Sequence, residues 1–272
     1  MGLPPLKALG AKRGRDTSSS VHDALKSKET SHRPGYGTDL AYVHHTGYAD
    51  FVLKAAPGLL RMLRQSKLRC GLVVDLGCGG GLWARELTRH GYDVFGVDSS
   101  PAMIALARET APQARLRAGS FLSVDLPPCV AVTALGEVLN YTFDRWNGRR
   151  ELARFFKRVH DALKPSGLFI FDVAGPNREL GRAPRRWSAG PDWAILLETS
   201  SRADRLTRAM TIFRKTGLSY QRSEEVHHLR LYRPGDILQS LRKAGFSPRQ
   251  VRAYGRMRLD RGLAAFVARR RA

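Results

Sequence analysis

The sequence predicts an α/β fold, a mostly parallel sheet with helices on both faces, and three observations predict it. Short strand-like segments alternate with helix-patterned ones from residue 72 to residue 173. Most of those strands are apolar along their whole length, as strands covered on both faces are, instead of alternating apolar and polar. The first strand also runs straight into Gly77, Gly79, Gly80 and Gly81, where a helix opens. Such a turn leaves bare backbone at the carboxyl end of a strand, where open parallel sheets take their ligands. At 272 residues the chain suits one large domain, or a domain with a sizeable insertion.

Each element follows from local pattern. Residues 72–76 form strand one, and the helix over 80–90 is closed by Gly91 as a left-handed cap. Strand two is 93–97, and Pro101 suits the first turn of the next helix. Residues 114–118 and 131–135 are strands three and four, 148–163 a long helix, and 167–173 strand five. Ahead of the sheet, Leu40, Tyr42, Val43, Phe51, Val52, Ala55, Leu59, Leu60 and Leu63 predict two helices, broken near Gly47 and Pro57. After strand five comes a Gly/Pro/Arg-rich link, 174–191, then three strand-like stretches at 193–198, 206–213 and 225–232. Along the second of these, Met210 and Ile212 share one face while Thr211 and Phe213 share the other. The expectation is an antiparallel β insertion over 174–233. A helix at 234–244, stopped by Gly245, precedes the last two sheet strands at 248–254 and 263–268. Residues 1–37 are rich in Ser, Gly, Pro and Lys without period, and read as a basic flexible N-terminal arm ahead of a folded domain at 38–272.

The charge is +22, from 46 Lys and Arg against 24 Asp and Glu. Such a field attracts nucleic acid, anionic membranes or acidic small molecules. The arm carries Lys7, Lys12, Arg13 and Arg15, and residues 249–272 hold eight arginines to one acid, ending in Arg269, Arg270 and Arg271. Neither an aromatic-interleaved basic stripe nor a single-strand stacking signature appears, so nucleic acid is not the favoured partner. No apolar run approaches the roughly 18 residues of a membrane span, and the N-terminus lacks a secretory core, so no membrane partner is expected. Cys70, Cys78 and Cys129 are odd in number and lack metal-ligand spacing. They read as free thiols in a reducing compartment, which implies a cytoplasmic location and no metal site. The oligomeric state stays open, a homodimer included.

The glycine turn matches the looser dinucleotide fingerprint when started at Gly79, through Gly81 to Ala84, and fails when started at Gly77 because Leu82 takes the third place. Asp75 precedes the first glycine, Asp98 ends the next strand, and Pro101-Ala-Met-Ile-Ala-Leu-Ala-Arg opens the helix after it. As a set these resemble the E/DxGxGxG turn and its surroundings in class I S-adenosylmethionine (SAM)-dependent methyltransferases of the small-molecule type, from about Tyr36 to the C-terminus. The resemblance implies a Rossmann-like seven-stranded sheet whose β insertion acts as a substrate lid. It implies SAM as cofactor, bound by Asp75, Gly77, Gly79 and Gly81 at the turn, by Asp98 and Ser99 at the ribose and by Met103 in the helix beyond. Ser120 and Phe121 would take the adenine. Gly136 and Glu137 would pass under the sulfonium, and Tyr42 or His45 would face the cofactor. Asp stands at the Ser120 position in many relatives, so the hydrogen bond here is weaker and uncharged.

For the acceptor, Asn140 and Tyr141 open into the substrate pocket and offer polar groups and a ring face to a cationic methyl donor. In Glu225-Val-His227-His228-Leu-Arg-Leu-Tyr232, His227 alternates with Leu229 and Leu231 and so points to the buried face. A histidine among leucines is often a satisfied core residue. The Glu-x-His pattern, however, resembles amino-sugar N-methyltransferases, in which this histidine faces the acceptor, and it implies His227 as the catalytic residue. A hydroxyl acceptor needs such a base, whereas a neutral amine does not.

The implied function is in-line transfer of a methyl group to an N or O atom of a small-molecule acceptor. An RNA methyltransferase using the basic tails and a non-catalytic SAM-binding regulator are the alternatives. Against nucleic acid, Leu126-Pro127-Pro128-Cys129 precedes strand four, so neither the Pro-Pro-aromatic turn nor the Pro-Cys nucleophile of those enzymes is in its place.

Overall fold

The computed structural model describes residues 35–143 and 148–271; residues 1–34 of the expected arm lie outside them. Helix α1 (Thr38–Gly47) leads into α2 (Ala49–Gln65), β1 (Gly71–Leu76), α3 (Leu82–Arg89) and β2 (Tyr92–Asp98). Then come α4 (Pro101–Thr110), β3 (Arg115–Ala118), β4 (Cys129–Ala134), α5 (Arg149–Ala162) and β5 (Leu163–Ala174). The expected break at Gly47 is present, but Pro57 lies inside α2. Buried Ala55, Ala56, Leu59, Leu60 and Leu63 continue the same face on both sides of the proline. Burying that face outweighs the ~3 kcal/mol an interior proline costs. Helix α4 starts as its sequence predicts, with Ser100 Oγ accepting the Met103 N–H at 3.1 Å ahead of Pro101.

The insertion has four strands where three were expected: β6 (Arg185–Ala189), β7 (Trp193–Arg202), β8 (Arg205–Thr216) and β9 (Ser219–Arg230), in that order and antiparallel. Strand β6 falls in the stretch that read as a link. It is a mostly exposed edge strand, where arginines are tolerated and the apolar alternation is lost. The sheet packs on α1 through Leu40, Val43, Trp193, Ile195, Met210 and Ile212. Helix α6 (Pro234–Lys243) and β10 (Phe246–Val251) follow, then a two-stranded ladder of β11 (Ala253–Tyr254) with β12 (Met257–Arg258), and β13 (Leu263–Arg270). The expected strand at 248–254 thus divides. Gly255 turns the chain at φ 64°, and Tyr254 is fully buried with its hydroxyl donated to Asp172 at 2.9 Å.

The main sheet runs β3-β2-β1-β4-β5-β13-β10, with β13 alone antiparallel to its neighbours. Phe155, Phe156 and Leu241 cover one face from α5 and α6, while Leu59, Leu63, Trp83 and Leu87 cover the other from α2 and α3. Strand order reverses at β1, between β2 and β4, so the carboxyl ends of these strands open a crevice. Among the described residues no helix is long and apolar enough to cross a membrane.

Candidate functional site

A cavity of about 560 Å³ fills that crevice, bounded by the core turns on one side and by β6–β9 on the other. Gly77 (φ 64°) and Gly79 (φ 53°) hold left-handed conformations on its wall. A Cβ added at Gly79, Gly119 or Gly136 would meet nothing within 4 Å, and all three line the cavity. Bare backbone therefore faces open space, the arrangement a close-lying ligand needs. Beside it, Asp98 accepts the N–H of Gly79 at 2.9 Å and of Ser100 at 2.8 Å, one on each oxygen. Burial lifts the Asp98 pKa against the pull of those two N–H groups. Ser99, Met103, Ser120, Phe121, Gly136 and Glu137 line the same space, with Phe121 braced edge-on by Phe155 at 5.0 Å.

Five residues expected at the ligands do not line the cavity. Asp75 is buried beneath the glycine turn, accepting from Thr133 Oγ at 2.8 Å; that hydroxyl accepts from Trp83 Nε1 at 3.1 Å. Burial pushes the Asp75 carboxyl up to about 7. Gly81 is needed for packing: its φ is 81°, and a Cβ would stand 2.9 Å from Ala107 Cα in α4. Tyr42 donates its hydroxyl to Asp192 and lies under the Arg214 guanidinium at 3.9 Å, facing the insertion. Asn140 is fully buried. Its amide nitrogen donates to the carbonyls of Ala174 at 2.9 Å and Arg230 at 2.5 Å, and its oxygen accepts the Ala174 N–H at 2.9 Å, which leaves nothing for a substrate. His45 is also away from the cavity, packed so closely on Gly80 that a Cβ there would meet its Nδ1. The leading segment instead contributes Tyr36, Leu40 and His44.

Another part of the cavity wall is aromatic. Tyr36 and Tyr141 share a hydrogen bond between hydroxyls at 2.8 Å, and Tyr141 stacks on Phe143 at 4.9 Å. His227 is buried, stacked on Tyr36 at 4.9 Å, edge-on to Phe143 at 5.0 Å, with Nε2 2.9 Å from a Glu225 oxygen. Sequence reasoning missed the ionic cluster beside it. Glu137 receives Arg178 Nε and Arg208 Nη2, the latter at 2.7 Å. Burial would raise its carboxyl, but the guanidiniums of Arg208 and Arg178 outweigh this and hold it below the usual range. Glu137 has a left-handed φ of 65°, held because Asp172 accepts the N–H of Gly136 at 3.0 Å and of Glu137 at 2.7 Å. Arg186 pairs with Glu179 at 2.8 Å and Arg182 with Asp260 at 2.7 Å farther along the wall. In a chain with 46 basic residues, nothing in the sequence singles these arginines out.

Residues 73–167 match a family model described as a methyltransferase domain. The chain carries a methyltransferase domain. YqeM of Bacillus subtilis (strain 168), named as a methyltransferase, is 26% identical over 194 residues, 67% of this chain and 76% of that protein. The chain is 33% identical over 124 residues to the 18S rRNA (guanine(1575)-N(7))-methyltransferase of Saccharomyces cerevisiae, covering 41% of this chain and 43% of the yeast one. Its fold is shared with the sugar N-methyltransferase KedS8 from Streptoalloteichus sp ATCC 53650: TM-score 0.70 over 98% of this chain and 100% of the other, at 20% identity. At that identity the likeness is one of fold.

Proposed function

We propose that this methyltransferase moves a methyl group from SAM to an N or O atom of a small-molecule acceptor enclosed between the core and the β insertion. The supporting observation is the Asp98 carboxylate, fixed by two N–H groups beside open glycines, with an aromatic and histidine wall across the same cavity. A cavity of this size is of the order that takes small ligands, roughly 300–1,000 Å³. The residues fit the cofactor: Asp98 and Ser99 take ribose hydroxyls, Gly79 allows close approach beside Gly77, Met103 lines the cavity from the helix beyond, and Ser120 and Phe121 take the adenine. When bound, SAM supplies a methyl group on an already activated sulfonium. The insertion excludes water and aligns the acceptor, and alignment alone is worth up to ~7–11 kcal/mol. Tyr141 offers a ring face and His227 takes the acceptor proton where the acceptor is a hydroxyl, a contribution on the order of 10²–10⁴-fold. The β6–β9 sheet is the lid in this reading, and KedS8, a sugar N-methyltransferase of the same fold, is consistent with it.

The yeast rRNA relative favours a second reading in which the basic tail binds RNA. Against it, Arg269 donates to Ser66 Oγ at 2.8 Å and Arg270 to the Asp161 carbonyl at 3.1 Å, both within β13. Mass spectrometry after incubation with SAM and a panel of amino sugars, amines and phenols tests the proposal. A methylated product at the small molecule is expected. Methylation of RNA alone, with steeply salt-dependent binding, overturns it in favour of the second reading.

A further inference from the structure

One carboxylate connects the two sides of the cavity. Glu225, on β9, accepts the Gly37 N–H at 3.0 Å on one oxygen and meets Nε2 of His227 at 2.9 Å with the other. An ionised carboxylate only accepts, so the proton in that second bond belongs to the imidazole, and the ring's lone pair is left on Nδ1. Among the described residues Nδ1 has no hydrogen-bond partner. The ring is also held face-on by Tyr36, whose carbonyl accepts Ser100 Oγ at 2.5 Å, and the Ser100 N–H goes to Asp98. Hydrogen bonds and one ring contact thus run unbroken from Asp98 through Ser100, Tyr36, Gly37 and Glu225 to His227.

We infer that Glu225 is a positioning residue for methyl transfer. It fixes His227 in the tautomer with the proton on Nε2 and the basic lone pair on Nδ1, and it ties that orientation to the seating of Tyr36 and Gly37 beside Asp98. The inference rests on the reading of His227 as acceptor-facing. With a hydroxyl acceptor, the O–H proton passes to Nδ1 as the oxygen–methyl bond forms, and the electron pair of the broken C–S bond stays on sulfur. The same linkage makes donor and acceptor sides close together, since loosening Gly37 loosens both ends.

Long-range proton–nitrogen NMR on histidine-labelled full-length protein, with His227 assigned through His227→Gln, reads the tautomer directly. The parent is expected to show protonated Nε2 and a lone pair on Nδ1. In Glu225→Gln one amide oxygen cannot serve both donors, so the tautomer is expected to switch or average. S-adenosylhomocysteine is expected to leave about tenfold faster, as for loss of a hydrogen bond to a charged group. A parental His227 protonated on Nδ1 overturns the inference, as does a Glu225→Gln protein with tautomer and dissociation rate both unchanged. If that variant does not fold, the parental tautomer decides alone. If S-adenosylhomocysteine does not bind the parent, the donor assignment fails instead, and the tautomer of the free protein still decides this one.

Discussion

The two walls of the cavity are made of different material. On the core side the surface is largely backbone, with Gly79, Gly119 and Gly136 bare and Asp98 held by the N–H groups of Gly79, in the turn after the neighbouring strand, and of Ser100. On the insertion side it is side chains brought from far apart: Glu137 after β4 meets Arg178 beyond β5 and Arg208 on β8, and Tyr36 ahead of α1 stacks on His227 of β9. A wall of backbone suits a ligand that never changes, whereas a wall of side chains changes its preference with a few substitutions. The first should keep its shape when side chains across the cavity are replaced, save those linked to Asp98 through Tyr36 and Gly37, and the second should fail as a unit.

The sharpest way to break that contrast is to remove Glu137. Its loss leaves Arg178 and Arg208 without their carboxylate in a buried site, and Glu137→Ala should cost about 3–5 kcal/mol in urea unfolding. If the cost is under a kilocalorie, the cluster is not a structural unit. Asp75 tests the core side. Its pKa near 7 means the folded state keeps a proton that the unfolded chain releases near its ordinary 3.8, so this group lowers stability as pH rises through that window. Asp75→Asn should therefore be more stable than the parent at pH 8, by on the order of 2–4 kcal/mol, with the gap closing toward pH 4. An equal difference at both ends would refute the buried neutral carboxyl.

Asn140→Ala removes three hydrogen bonds that clasp the turn after β4 to Ala174 and Arg230, and should cost about 2–3 kcal/mol in stability. Unchanged unfolding with weakened acceptor affinity would restore the substrate role read from sequence. The glycines give the smallest but most discriminating pair. Gly81→Ala meets Ala107 and should cost roughly 1–3 kcal/mol of stability, whereas Gly79→Ala meets open space and should weaken donor binding more than folding.

This division also explains what could be read from the sequence. Strands β1 to β5, the glycine turn and Asp98 are encoded by neighbours in the chain, so period and punctuation reveal them. His227 was legible because alternation with Leu229 and Leu231 fixes its face. Asn140 and Tyr42 were misread because a helix face or a turn says that a polar group points inward, not which partner it meets. Tyr36 and the arginines carried no local signal: their roles depend on β8 and β9 folding back over the core. Strand β6, charged and at an edge, lacks the alternation that marks a strand.

Calorimetry with S-adenosylhomocysteine on the parent and on Asp98→Ala tests the central claim most directly. The account predicts saturable binding to the parent and a loss on the order of a hundredfold in the variant, whose carboxylate both holds the turn and faces the cavity. No heat of binding to the parent, or equal affinity in the two proteins, would contradict it.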